Sequence, residues 1–232
     1  MRHAAFFDLD GTLLRGESQF AFLLWCLRSG IAPRLRALPV LVQYASYLSG
    51  VSRDAFKLRQ SGFGLLRGIS VEQLENAASE FFQANLAAGF RRQALPLVEA
   101  HRAQGHLIVL LTSACDPIAN LVAANLRADA LIATRLLVSK DAFTGERELP
   151  EPYSDGKRTL VERFCQERKL LAQDCFAYTD HHSDASLLEF VGHPVAANPT
   201  TKLQAIAAAR GWPQINLDAD ELPQFRLQRE GG

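Results

Sequence analysis

A chain of 232 residues, 48% of them hydrophobic, suits one substantial α/β domain plus a smaller one. It can bury about three quarters of its unfolded surface without disulfides or a structural metal. Its 25 basic and 25 acidic residues cancel, so no global charge favours nucleic acid as a partner. Cys26, Cys115, Cys165 and Cys175 are scattered, with no CxxC or Cys/His spacing for zinc, which fits reduced thiols and a cytoplasmic location. The opening residues show no basic-then-apolar signal segment and pass straight into a strand.

That strand is the apolar run Ala4-Ala5-Phe6-Phe7, and it ends in Asp8-Leu9-Asp10-Gly11-Thr12. Open α/β sheets place their chemistry where a buried parallel strand delivers polar groups at its carboxyl end. Asp8 and Asp10 differ by two, so on a continuing strand their side chains would share one face. Two carboxylates held close repel, and a cation or a proton must sit between them.

Residues 16–91 carry helical spacing and few strand signals. A helix is expected from Ser18 to Ser29, stopped by Gly30, and a second restarts at Pro33. Leu35 to Leu48 is apolar almost all round and interrupted by Pro39; Ser52 to Leu66 reads as a third helix broken by Gly62 and Gly64. Ser70 and Gln73 form a capping-box pattern opening a fourth helix that runs to about Ala88, before Gly89. The apolar stretches fall short of the roughly 18–20 residues a membrane span needs. From Arg15 to Arg67, eight basic residues face only Glu17 and Asp54, so peripheral contact with an anionic membrane is one possible use of this region.

From Arg92 onward, strand and helix patterns alternate. Helix 95–104 precedes the continuous apolar run His106–Leu111, the mark of a central parallel strand. Asp116-Pro117 opens a helix to Leu126, and Asp141–Gly145 reads as the turn of a hairpin flanked by 130–139 and 147–149. Helix 159–169, strand 175–178, helix 183–190 and strand 194–197 complete the alternation. It implies a doubly wound parallel sheet with an inserted all-helical cap. The expected division is a core of residues 1–15 and 92–214, a cap of 16–91, and a polar tail from 215 to 232.

Three more segments repeat the logic of the first strand. Leu111 leads into Thr112-Ser113, Gly156-Lys157 opens a helix, and Tyr178 leads into Thr179-Asp180-His181-His182-Ser183-Asp184. In a doubly wound sheet these ends meet in one crevice. Four carboxylates, hydroxyls and one ammonium suit phosphoryl transfer, with Mg²⁺ as the matching hard cation. His181-His182 reads as rim or loop, because adjacent residues rarely face one site.

In these features the chain resembles the haloacid dehalogenase-like phosphohydrolases. Asp8–Thr12 matches the first motif, Thr112 the second, Lys157 the third, and Asp180 with Asp184 the fourth. The helical insertion and the stretch Thr179–Asp184 resemble the phosphoserine-phosphatase-like subfamily. That resemblance implies a Mg²⁺-dependent phosphatase in which Asp8 is the nucleophile and Asp10 the general acid and base. It also implies Mg²⁺ held by the Asp8 carboxylate, the Asp10 carbonyl and Asp180, with Asp184 close by. Thr112 and Lys157, with Ser113 as a further donor, would hold phosphate oxygens.

For the substrate, the resemblance places Glu17 where phosphoserine phosphatases meet an amino group, and Gly62 where they carry an arginine for the carboxylate, with Arg59 one helical turn away. A small phosphorylated metabolite such as an amino-alcohol or histidinol-type phosphate is expected. The alternatives are phosphoserine, a phosphatidylglycerophosphate-type lipid headgroup, transfer to an alcohol, and a catalytically silent binding module.

Overall fold

In the computed structural model, which describes residues 3–38, 40, 42 and 62–221, strand β1 (Ala4–Phe7) is buried on both faces. Its alternation divides the protein into two layers. Ala5 and Phe7 join a core shared with Phe22, Leu74, Leu97 and Ile118, whereas Ala4 and Phe6 join one with Val161, Leu188 and Leu203. A strand enclosed in this way needs apolar residues at every position, and Ala-Ala-Phe-Phe supplies them.

Strands β2 (Leu107–Cys115), β3 (Ala130–Thr134), β6 (Phe176–Thr179), β7 (His193–Ala197) and β8 (Gln214–Ile215) complete the sheet. The order is β3-β2-β1-β6-β7-β8, and every pair is parallel. Helices α1 (Ser18–Arg28), α2 (Val71–Phe81), α3 (Ala94–Ala103) and α4 (Asp116–Leu126) supply residues to one layer. Helices α5 (Asp155–Arg168), α6 (Ala185–Phe190) and α7 (Thr201–Arg210) supply the other. This is the doubly wound sheet with a helical insert that the alternation predicts.

Local chemistry sets the helix ends. Ser70 Oγ accepts the Gln73 N–H at 3.2 Å, and the Gln73 side chain accepts the Ser70 N–H at 3.4 Å, so the capping box forms at the start of α2. The helix runs on through a π-helical turn, Phe82–Leu86. Gly30, at φ +74°, follows α1 in a conformation that favours glycine. Pro33 precedes a 3₁₀ turn, Arg34–Arg36, and the described residues that follow, 37, 38, 40 and 42, are helical as predicted; the rest of the predicted helix 35–48 and most of 52–66 lie outside the described residues.

Three expectations are corrected. Strand β2 does not end at Leu111 but continues through Thr112 and Ser113 to Cys115, with an irregular register after Leu111. The Thr112 hydroxyl accepts the Ala114 N–H, and Thr134 donates to the Ser113 carbonyl, so these polar residues stay in the strand. The hairpin is offset: 130–134 is a sheet strand, and β4 (Leu136–Ser139) pairs with β5 (Ala142–Arg147). Its turn is Lys140-Asp141, both at positive φ, the geometry of a two-residue primed turn.

The third correction concerns the tail. Residues 214–215 form an edge strand, and Ile215 and Leu217 are buried side by side at i, i+2 spacing. The Leu217 N–H donates to the Asn198 side chain at 2.8 Å. A polar composition hid a two-residue apolar alternation.

Main-chain bonds fasten the insert to the sheet domain in the linkers and at the hairpin. In the linkers, Arg91 N–H donates to Leu13 O at 2.9 Å and Arg15 N–H to Gly89 O at 3.3 Å. At the hairpin, Gly68 N–H donates to Phe143 O, Phe143 N–H to Ile69 O, and Val71 N–H to Asp141 O, at 2.7, 2.9 and 3.1 Å. No helix among the described residues is long and apolar enough to cross a membrane.

Candidate active site

Asp8 follows β1 directly, and its N–H extends the sheet ladder to Tyr178 O at 3.0 Å. Its carboxylate accepts the Leu9 N–H at 2.8 Å and meets Lys157 Nζ at 2.9 Å. Lys157, in the first turn of α5, also donates to Asp184 at 2.6 Å. Asp184 is closed from behind by the Thr179 and Ser183 hydroxyls, at 2.7 and 3.2 Å. Both Asp184 oxygens are thus engaged, one by Lys157 and Thr179 and the other by Ser183.

The turn after Asp8 is shaped by close approach. A Cβ on Gly11 would stand 2.3 Å from Asp180 Oδ2, and Gly11 adopts φ +74°. Both the approach and the positive φ favour glycine there. Thr12 Oγ1 donates to Asp180 at 3.3 Å, fixing that carboxylate beside the turn. Asp10 accepts the Ser18 N–H at 2.8 Å, which ties it to the first residue of α1.

These groups line one cavity of about 400 Å³. Asp8, Asp10, Asp180, Asp184 and Lys157 form its polar floor, with Ser113, Glu17 and His181 beside them. Thr112 is buried just behind and is not part of the wall; Ser113 stands there instead. Phe20, Leu23 and Phe63 supply apolar wall, and Gln19 and Tyr153 complete the enclosure. None of these five is legible from sequence, because each reaches the site through tertiary packing. A cavity of about 460 Å³ beside β3 shows no comparable convergence of carboxylates on an ammonium.

Burial governs the electrostatics. It pushes the Asp10 carboxyl up to about 7, against the opposing bonds from Ser18, with Glu17 and Asp8 adding smaller pushes. The sequence suggested neighbouring charge as the cause; desolvation is the larger one. Asp180 is pushed up to about 7 by burial and then by Asp8. Asp8 is raised by burial, with Lys157 pulling it back. Burial alone would lower Lys157, but Asp184 and Asp8 outweigh it and keep the ammonium charged.

The donor set fits a hard divalent ion. Buried carboxylates outnumber the one ammonium, and Asp180 sits against a backbone turn that favours glycine. Among the described residues no three His, Cys, Asp or Glu side chains form a complete cage. One or two carboxylates with a carbonyl and waters is the mode Mg²⁺ adopts beside a phosphate.

A doubly wound sheet with paired acids at its carboxyl edge, under a helical insert, defines a hydrolase class built for phosphate esters. The chain belongs to the haloacid dehalogenase-like hydrolases, whose family model matches residues 5–189. It is similar to a protein of unknown function from Bordetella pertussis Tohama I: TM-score 0.84, 30% identity, 94% of this chain and 99% of that one. It is 27% identical over 222 residues to the histidinol-phosphatase of Neisseria meningitidis serogroup C, covering 93% of this chain and 99% of the relative. A substrate-bound phosphoserine phosphatase shares the fold, with TM-score 0.66 at 16% identity and 95% of each chain covered.

Proposed function

We propose that this protein is a phosphatase that releases inorganic phosphate from a small amino-alcohol phosphate. The observation that carries the reading is the Asp8–Lys157–Asp184 bridge at the floor of an acid-lined cavity. Asp8 would attack phosphorus and form an aspartyl-phosphate as the ester P–O bond breaks. Asp10 would give its proton to the leaving alkoxide, then take one from the water that cleaves the acyl-phosphate. An Asp10 pKa near 7 suits both halves of that cycle. Lys157 and Ser113 would bind phosphate oxygens, and Thr112 would support the strand end that presents Ser113.

Asp8, Asp180 and the Asp10 carbonyl would hold Mg²⁺. When bound, that ion screens the negative charge of the phosphate so that an anionic nucleophile can approach.

Glu17 on the cavity wall offers a carboxylate to a substrate ammonium. Gly62 lines the same wall, and a Cβ there would already meet Leu23 at 2.9 Å, so position 62 provides no cation for a substrate carboxylate. An amino alcohol therefore fits better than phosphoserine. The likeness to a histidinol-phosphatase points the same way.

Purified protein should release phosphate from an aryl phosphate with Mg²⁺ and stop with EDTA. Asp8→Asn should lower that rate by about 10⁴-fold or more while the fold is kept. Wild-type turnover by Asp8→Asn would overturn the nucleophile assignment. Among natural esters, amino-alcohol phosphates should lead in kcat/KM and lose their lead over esters that carry no ammonium in Glu17→Gln.

A further inference from the structure

The two linkers joining the helical insert to the sheet domain meet at a single carboxylate. Arg15 lies on the outgoing linker and Arg91 on the returning one, and Leu14 and Phe90 pair between them. Asp218, in the segment after β8, receives Arg15 at 2.6 Å and ion-pairs with Arg91. Asp218 is itself placed by its own N–H, which donates to the Asn216 side chain at 2.9 Å.

Arg91 has a second engagement that a simple surface pair lacks. Its Nε and Nη2 donate to the Gly11 carbonyl at 3.2 and 2.8 Å. Gly11 lies between Asp10 and Thr12, and its N–H donates to Gly16 O at 3.3 Å. Both peptide groups flanking Gly11 are thus fixed, one by Gly16 and one by Arg91. Turning the second would swing Thr12, which holds Asp180. The Arg91 side chain is only 15% exposed, against 63% for Arg15. Arg91 does not line the cavity, so it acts on the turn from behind.

We propose that Arg91, oriented by Asp218, is a positioning residue that fixes the Gly11 carbonyl and thereby the reactive geometry of the Asp8–Thr12 turn. The inference rests on the phosphatase reading above. A planar fork with separate nitrogens can hold the carbonyl and Asp218 at once; the compact ammonium of lysine cannot reproduce that geometry. Because Arg91 stays out of the substrate cavity, its loss acts on turnover and leaves substrate binding in place.

The test measures kcat and KM on p-nitrophenyl phosphate with Mg²⁺, for wild type, Arg91→Met, Arg91→Lys and Asp218→Asn. Burst amplitude counts competent sites, and thermal melting follows the fold. A misplacement on the order of 1 Å costs about 10²-fold, so kcat per competent site should fall by about 10- to 100-fold in Arg91→Met, with KM unchanged. Arg91→Lys should recover part of it, and Asp218→Asn should show a smaller loss of the same kind. Wild-type kcat in Arg91→Met overturns the proposal, as does a fall matched by lost burst amplitude. If Arg91→Met does not fold, Asp218→Asn decides, and an unchanged kcat there overturns it. A wild-type protein that hydrolyses no phosphate ester removes the phosphatase reading itself, and this inference with it.

Discussion

The two ends of the parallel sheet collect opposite kinds of titratable side chain. At the carboxyl ends of the strands, Asp8, Asp10, Asp180 and Asp184 gather around Lys157. At the amino ends, His3, His101, His106 and His193 pack against one another and against Phe176. Burial opposes charge at both. It raises Asp10 and Asp180 and lowers His101 to about 3, with His106 also lowered. What differs is room and a counter-charge. The acid end keeps a cavity and an ammonium, whereas the His101 ring is bonded between Tyr178 and His106 at 2.7 and 2.8 Å. A perturbed pKa marks a working site only where a ligand can enter.

Removing the counter-charge should cut deepest. Lys157→Met leaves Asp8 and Asp184 buried without their cation, and breaking a buried pair from one side costs about 3–5 kcal/mol. Denaturant melts should show that loss, and phosphate release should vanish. A variant as stable as wild type would mean that the two carboxylates take up protons instead, making the ammonium dispensable to the fold.

Metal and pH give a smaller effect of definite sign. Asp10 and Asp180 sit near 7 in the folded chain against an ordinary 3.8. The folded form then holds protons that the unfolded form lacks, so the acid end loses stability as pH rises from about 4 to about 7. Mg²⁺ should raise Tm strongly at pH 7.5 and weakly at pH 5. A pH-independent Mg²⁺ effect would speak against an ion held by these acids.

The histidine end should show the reverse trend, and the smallest one. His101 lies near 3 when folded against 6.5 ordinarily, so the stability it contributes is present above 6.5 and is lost as pH falls toward 3. The two trends oppose each other in the wild type, and only variants separate them. His101→Gln keeps hydrogen-bonding capacity while removing the charge. Its acid-side Tm should fall less steeply than that of wild type, with neutral-pH turnover unchanged; a lost turnover would tie this end to the chemistry.

What could be read in the sequence was local. The Ala4–Phe7 strand, the acids after it, the capping box at Ser70 and the lysine opening α5 each depend on neighbours within a few positions. Their convergence followed from the rule that parallel strand ends meet. Features made by distant contact were invisible. Phe20, Phe63 and Tyr153 become cavity wall only after folding, and Arg91 finds the Gly11 carbonyl across 80 positions of chain. Composition also misled in places. Thr112 and Ser113 looked like a strand end because they are polar, yet they lie inside β2 at its irregularity, held by the bonds to Ala114 and Thr134, and the segment after Gln214 looked like a tail although Ile215 and Leu217 face the core.

The main-chain bonds from Gly68, Ile69 and Val71 to the hairpin carry a consequence for traffic. They stitch the start of α2 to the rest of the molecule, so that flank of the roof cannot lift without unzipping a ribbon of amides. The flank along α1 carries no such ribbon among the described residues, and there Phe20 is 47% exposed and also borders the chamber.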